Sequence, residues 1–185
     1  MNNFNPIQTD PISLKNKLLN AMWYVVNHTF FRFTPSHFNI FRKYRVFLTR
    51  LFGAKIDWSV SLDPSAILDY PWNIEMHKKS SLGKNCWVYA LDKVYIGEFS
   101  CVGKNVFLLG GSHDVNSCTF DQTIGQICIK ECCWVATSAI VLPNIEIGKF
   151  SVVGAGAVVT KNVEDFSVVG GNPAVLLRKR ILNKS

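Results

Sequence analysis

From Ile129 to Val159 an aliphatic residue recurs at every sixth position: Ile129, Val135, Val141, Ile147, Val153 and Val159. Small residues, Cys133, Ala139, Ser151 and Ala157, follow four places after members of that series. Neither the helical period nor the alternation of a strand generates such a run. A period of six belongs to a hexapeptide-repeat parallel β-helix, in which three hexads wind one triangular coil. Each aliphatic residue then points into the prism and stacks on its counterpart one coil away.

The same period runs earlier in the chain. Ile56, Leu62, Leu68 and Ile74 hold one register; Leu82 and Val88 hold a second, two residues out of phase; Ile96, Val102 and Leu108 hold a third. Leu82-Gly83, Ile96-Gly97, Val102-Gly103, Ile147-Gly148 and Val153-Gly154 repeat an aliphatic-plus-glycine start. Those glycines are expected at corners, where a positive φ costs them little. The coil from Glu75 to His77 lacks the aliphatic-glycine pair, so an irregular coil is expected there.

The chain divides into a helical appendage over 1–55, a solenoid over 56–170 and a tail over 171–185. Ser13 is a candidate N-cap for a helix carrying Leu14, Leu18, Met22, Val25 and Val26 at helical spacing. After Thr34-Pro35-Ser36, a second helix is expected from about residue 36 to Phe52, its apolar face built from Ile40, Phe41, Tyr44, Phe47, Leu48, Leu51 and Phe52. Gly53 is its stop. The tail, AVLLRKRIL after Asn172-Pro173, is expected as a short basic helix across the last coil.

Residues 1–55 hold eight Lys and Arg against the single acid Asp10, a surplus equal to the whole chain's +7. The basic character therefore belongs to the appendage. Two roles fit it: capping the open end of the solenoid, or attachment to an anionic membrane surface with Trp23, Phe30, Phe31 and Phe33 buried in lipid. Attachment would make a lipid-linked glycan a natural acceptor. No nucleic-acid-binding motif is present. No apolar run reaches the roughly 18 residues of a membrane span, and the N-terminus lacks the plan of a signal peptide. The expected location is cytoplasmic, with the inner membrane face as the place of any attachment.

Six cysteines occur without a CxxC pair, and Cys86, Cys101 and Cys133 sit at small-residue hexad positions, so reduced thiols used as apolar filler are expected. Only His77 and His113 lie in the solenoid, with His28 and His37 in the appendage, so three-histidine zinc coordination is not expected and no metal is assigned.

The repeat breaks between Leu108 and Ile129, where LGGSHDVNSCTFDQTIGQIC marks a loop over 109–128. His113 lies in it, flanked by Gly110-Gly111-Ser112 and Asp114. An imidazole there suits general-base work on a hydroxyl, with Asp114 orienting it; alone, the tetrapeptide fits a loop histidine with a turn-forming aspartate better. Further on, Gly154-Ala155-Gly156-Ala157 leaves an outer surface nearly free of side chains. Thr160, Lys161, Arg178, Lys179 and Arg180 add hydroxyl and positive charge beyond it. A thin ligand arm ending in phosphates fits that pattern, as does simple solenoid geometry.

These residues together carry a resemblance. WVATSAIVLPNIEIGKFSVVGAGAVVTKNV followed by VVGGNPAVLLRKR resembles the closing coils of hexapeptide-repeat acetyltransferases that use acetyl-CoA. FRKYRVFLTRLFGAKI, YPWNIEM, VYALDKVYIG and LLGGSHDVNSCTF resemble their colanic-acid-type polysaccharide O-acetyltransferase branch, from about Leu14 to Arg180. The resemblance implies a homotrimer of left-handed parallel β-helices with active sites between subunits. It implies acetyl transfer from acetyl-CoA, as co-substrate, to a sugar hydroxyl in surface or exported polysaccharide synthesis. His113 matches the catalytic base. Trp134, Thr137, Ala155, Thr160, Lys161 and Arg178 match CoA-binding positions. Tyr89, Asp92 and Asp114 are expected on the saccharide acceptor side. Val175 departs from the usual Lys or Arg, leaving Lys179 or Arg180 as replacements for the missing charge. The rivals are a non-catalytic trimeric scaffold and an acyltransferase with a different donor.

Overall fold

In the computed structural model, which describes residues 13–36 and 38–182, the chain winds as a parallel β-solenoid of about six turns behind two helices. The first coil holds β1 (Lys55–Ile56), β2 (Ser61–Leu62) and β3 (Ile67–Asp69). The second holds β4 (Ile74–Met76), β5 (Ser81–Leu82) and β6 (Trp87–Tyr89), and the third β7 (Val94–Ile96), β8 (Cys101–Val102) and β9 (Phe107–Leu109). A hairpin of β10 (Gly111–His113) and β11 (Gln122–Ile124) then leaves the prism. The fourth coil is β12 (Ile127–Ile129), β13 (Trp134–Val135) and β14 (Ile140–Val141), and the fifth β15 (Ile145–Ile147), β16 (Val152–Val153) and β17 (Val158–Val159). The last contains β18 (Ser167–Gly170), followed by β19 (Val175–Lys179). Strands stack into three faces: β1-β4-β7-β12-β15, β2-β5-β8-β13-β16-β18 with β19 at its edge, and β3-β6-β9-β14-β17.

Every aliphatic residue of the six-residue series points inward, from Ile56 to Val159, each at most 2% exposed. Burying a side chain of this size contributes about 1.5–3 kcal/mol, so the stacked series dominates the stability of the prism. The two-residue phase shifts arise at a corner. First-face strands carry two inward residues in early and late coils alike, as in Ile74 with Met76 and Ile127 with Ile129, but the early corners from Leu68 to Ile74 and from Val88 to Val94 are longer than the late one from Val141 to Ile145. The early coils therefore repeat at twenty residues, with Ile56 one rung below Met76 and Leu62 one below Leu82, whereas Ile129 lies one rung below Ile147. The coil through Glu75 is regular, contrary to expectation. Met76 fills the aliphatic position, and Glu75 faces outward to His77 at 2.9 Å and Lys93 at 2.8 Å.

The repeat glycines serve spacing, not φ. Positive φ falls instead on side-chain-bearing corner residues such as Asn85 (55°), Asn105 (53°) and Asn144 (61°). A Cβ on Gly83 would stand 2.8 Å from the Gly103 carbonyl carbon, and one on Gly97 2.6 Å from the Glu131 nitrogen. Glycine lets successive coils approach at those points.

The appendage caps the first coil with a mixed face, in which hydrogen-bonding side chains stand beside the buried Trp23, Phe31, Val46 and Leu48. Ser13 accepts the Asn16 amide as N-cap of α1 (Leu14–Val26), which runs into a π-turn at Asn27–Phe31. The first coil exposes an edge of strand carbonyls. Trp23 Nε1 donates to Leu68 O, and Asn27 Nδ2 to Ala66 O at 3.2 Å. From α2 (Asn39–Leu51), Arg45 Nε donates to Leu62 O at 2.8 Å, Arg42 to Val60 O at 3.3 Å, and Arg50 to Ile56 O at 2.5 Å. Trp23 and Phe31, offered above for lipid contact, are buried on the solenoid. Leu14, Leu18, Met22 and Val25, and Ile40, Phe47 and Leu51, face outward.

The tail is a strand, not a helix. β19 pairs antiparallel with β18, Ser167 opposite Lys179 and Gly170 opposite Val175, so it satisfies the open hydrogen-bonding edge that the last coil would otherwise leave. Arg180 then donates to Cys132 O at 3.0 Å and Phe150 O at 2.9 Å, stitching three coils at one corner.

Cys86 and Cys133 are interior filler as expected, and burial pushes both thiols up to about 11. Cys101 is a correction: it precedes the inward Val102 and points out of the second face. In the native protein at mildly alkaline pH, Cys101 and Cys118 are expected to react with an aromatic disulfide reagent, and Cys86 and Cys133 only after unfolding. Mass-spectrometric mapping of the modified thiols checks this.

Candidate active site

His113 ends β10 and pairs across the hairpin with Gln122. Its Nδ1 lies 2.7 Å from the carbonyl oxygen of Phe120, whose backbone sits in the left-handed region at φ 50°. A carbonyl can only accept, so Nδ1 carries the hydrogen and Nε2 is the basic nitrogen of the neutral ring. The same bond gains strength when the ring becomes an imidazolium. The sequence assigned the orienting role to Asp114, and the structure gives that carboxylate other work. Asp114 Oδ1 accepts the Asn116 amide at 2.9 Å, and its backbone amide donates to Asp121 O at 2.8 Å. Asp121 in turn takes the hydroxyls of Thr119 at 2.7 Å and Ser117 at 2.8 Å, which hold its carboxyl below the usual range. The hairpin tip is thus a self-bonded turn that fixes where Phe120 aims its carbonyl.

The root of the hairpin sits on the previous coil. Gly110 donates to Tyr89 O at 2.8 Å, and a Cβ on Gly111 would stand 2.5 Å from Leu91 Cδ1 and 3.0 Å from the Tyr89 ring. Gln122 Nε2 reaches Tyr89 Oη at 3.4 Å. Tyr89 is therefore brought to the base of the His113 hairpin. Asp92 follows Tyr89 at that coil's corner; its carboxylate accepts the Lys93 amide at 2.6 Å and lines a small cavity with Trp72, Asn73 and Glu75.

Asp69 was not singled out from the sequence. It stands one rung below Tyr89 on the third face and accepts Trp87 Nε1 at 2.7 Å. Burial raises its carboxyl above the ordinary value, against the lowering effect of that bond. The twenty-residue pitch was the signal that places Asp69, Tyr89 and Leu109 in one column.

The other expected positions lie on the second face. Trp134 is half exposed on β13, and its column continues through Val152 and Val168 to Arg178. Three rungs span about 14 Å. Thr137 and Ala155 occupy successive coils at the corner beside this column, where Gly156 donates to Thr137 O at 2.9 Å. Gly156 has φ 69° and nothing within 4 Å of a would-be Cβ, so its outer side is open. Trp134, Thr137, Ala155 and Arg178 thus form one exposed track, which a slender chain with a terminal anion can follow. Thr160 and Lys161 lie at the following corner. Lys161 lines a cavity of about 330 Å³ at the open end of the prism with Glu164, Ala174, Val175 and Leu176.

Neither proposed replacement for the charge missing at Val175 is spare. Lys179 is paired with Glu164 at 2.8 Å, and Arg180 is spent on the corner carbonyls. Among the described residues no group of three His, Cys, Asp or Glu side chains could hold a metal ion, and no helix is long and apolar enough to cross a membrane.

A hexad solenoid with an inserted histidine hairpin and a side-chain-poor outer track defines the hexapeptide-repeat acyltransferase class. No protein-family model matches the sequence. A putative colanic acid biosynthesis acetyltransferase of Escherichia coli, WcaF, is 36% identical over 166 residues, which cover 90% of each chain. A hexapeptide-repeat acetyltransferase of Vibrio cholerae, solved with acetyl-CoA, superposes with a TM-score of 0.81 at 21% identity, covering 94% of this chain and 93% of its own. A maltose O-acetyltransferase of Clostridium difficile gives 0.80 at 20% identity, covering 92% and 90%. The chain belongs to the colanic-acid-type branch of the hexapeptide-repeat acetyltransferases, and its solenoid is a left-handed parallel β-helix.

Proposed function

We infer that the protein transfers an acetyl group from acetyl-CoA to a sugar hydroxyl during synthesis of a surface or exported polysaccharide. The observation that carries this reading is the bond from His113 Nδ1 to the Phe120 carbonyl, which leaves Nε2 as the base. In the proposed reaction Nε2 takes the proton of the acceptor hydroxyl as its oxygen attacks the thioester carbonyl carbon. The new carbon–oxygen bond forms, the carbon–sulfur bond breaks, and the departing thiolate recovers the proton from the imidazolium. No acyl-enzyme is required; holding both substrates in line supplies much of the rate. The colanic acid relative and the maltose O-acetyltransferase support a sugar acceptor, and the acetyl-CoA complex supports the donor. Tyr89, Asp92 and Asp114 remain the acceptor-side residues of this reading. Trp134, Thr137, Ala155 and Arg178 guide the CoA arm, with Thr160 and Lys161 toward its nucleotide end.

The reading includes a homotrimer working in the cytoplasm. His113 leaves the prism at the end of its third face, whereas the Trp134–Arg178 column runs along the second. A neighbouring copy turned about a three-fold axis would set one protomer's hairpin over the next protomer's track.

Thiol release from acetyl-CoA, measured with a pool of mono- and oligosaccharide acceptors, tests the activity. Acceptor-dependent release is the expected result. Absence of release together with absence of CoA binding in a calorimetric titration would overturn the reading in favour of a scaffold.

A further inference from the structure

Both N-terminal helices turn hydrogen-bonding side chains inward, beside the buried Trp23, Val46 and Leu48, and leave an apolar stripe outside. On α1 the residues that meet the first coil, Asn20, Trp23 and Asn27, lie on the side opposite Leu14, Leu18, Met22 and Val25. On α2 the inward residues Arg42, Arg45 and Thr49 lie opposite Ile40, Phe47 and Leu51. The reason is chemical: a strand edge offers carbonyl oxygens, and only donor side chains satisfy them. The apolar stripes are left outside. Leu14, Leu18, Met22 and Val25 are 58–72% exposed, and Ile40, Phe47 and Leu51 50–72%. Phe30 and Phe33 add 63% and 83% exposed rings just beyond α1. α1 rests on the third face's first strand and α2 on the first strands of the other two, so both stripes belong to the same end of the prism.

Charge selects the partner. Lys15, Arg32 and Lys43 are exposed around these stripes, and the sequence from 13 to 56 contains no Asp or Glu. We propose that this end of the prism is a docking surface for an anionic lipid bilayer, with the apolar stripes seated at the level of the acyl chains and the cations among the head groups. Leu, Met and Phe on one side with Lys and Arg beside them is the composition an interfacial helix needs. A second copy is the poorer occupant, because a two-fold contact through this end would bring like cations together. The surface lies at the opposite end of the solenoid from β19 and stands independently of the transferase reading. If that reading holds, docking would bring the site to sugars carried on lipid.

The test is flotation of the full-length protein with vesicles of phosphatidylcholine alone and of phosphatidylcholine mixed with phosphatidylglycerol. Leu18→Glu combined with Phe47→Glu is the variant, both side chains being exposed; circular dichroism and oligomeric mass monitor its fold. The wild type is expected to float with anionic vesicles at low salt and far less at high salt or with neutral vesicles. The variant is expected to lose about tenfold in bound fraction with spectrum and mass unchanged. The proposal is overturned if the wild type floats with neither vesicle or equally with both. Undiminished flotation of the variant overturns it too, as does a fall in oligomeric mass, which would assign the face to a second copy. Thiol release with a soluble acceptor, run beside it, reports separately on the transferase reading.

Discussion

Replacing His113 with alanine is expected to lower acceptor-dependent thiol release by about 10²–10⁴-fold, the usual contribution of a positioned general base. CoA affinity should change little, because Trp134, Thr137, Ala155 and Arg178 keep the track intact when the imidazole is removed. The fold should also survive, because His113 is exposed on a hairpin outside the prism. His113→Gln is the sharper variant: it can still hydrogen-bond but cannot take a proton at neutral pH, so it should be nearly as slow as alanine. Release equal to wild type in both variants would remove His113 as the base. A subunit arrangement adds a second readout. Mixing inactive His113→Ala protomers with inactive Trp134→Ala protomers should restore part of the activity if each site draws on two chains. Sites built within single chains would restore none.

The six-residue series was enough to find the prism because packing at its axis admits only inward aliphatic residues, and every one predicted inward is inward. What the series hid was the twenty-residue pitch of the early coils, whose corners between the third and first faces, Leu68 to Ile74 and Val88 to Val94, are longer than the late one from Val141 to Ile145. Reading that pitch would have set Asp69 beneath Tyr89 and drawn attention to its bond with Trp87. Two other departures have a common cause. Ile40, Phe47, Leu48 and Leu51 read as one apolar face although only Leu48 is buried, and AVLLRKRIL reads as a helix, because local periodicity and propensity are blind to the strand edges at the two ends of the solenoid. An open edge wants hydrogen-bond partners: at the first coil it recruited Trp23, Asn27 and three arginines, and at the last it recruited β19. His113 itself was legible as a titratable group just after a glycine pair, in a segment that breaks the repeat. Its orienting partner was not, because a main-chain carbonyl leaves no trace in side-chain identity. The nearest carboxylate, Asp114, drew the inference instead.

Arg45→Ala is expected to destabilise the junction of appendage and solenoid by about 3 kcal/mol. The side chain is 1% exposed, and burial pushes its guanidinium below the ordinary arginine value while Asp63 acts in the opposite sense. It is charged at neutral pH nonetheless, and its hydrogens are well spent: Leu62 O at 2.8 Å, Thr34 Oγ1 at 2.7 Å and Pro35 O at 3.2 Å. One planar group therefore ties α2, the turn before it and the edge of the first coil. Alanine would strand the buried Leu62 carbonyl, a cost of about 1–3 kcal/mol, and open a cavity where the alkyl stem packs, adding a comparable amount. For a chain of this length about 3 kcal/mol lowers a thermal midpoint by roughly 6–12 °C. Arg45→Lys should recover about half, since an ammonium can reach one of the carbonyls but cannot span all three partners. Lys43→Ala, on the exposed side of the same helix, is the control and should shift the midpoint by no more than about 1–2 °C. A thermal melt in which Arg45→Ala matches Lys43→Ala would show that the first coil holds its edge without the guanidinium.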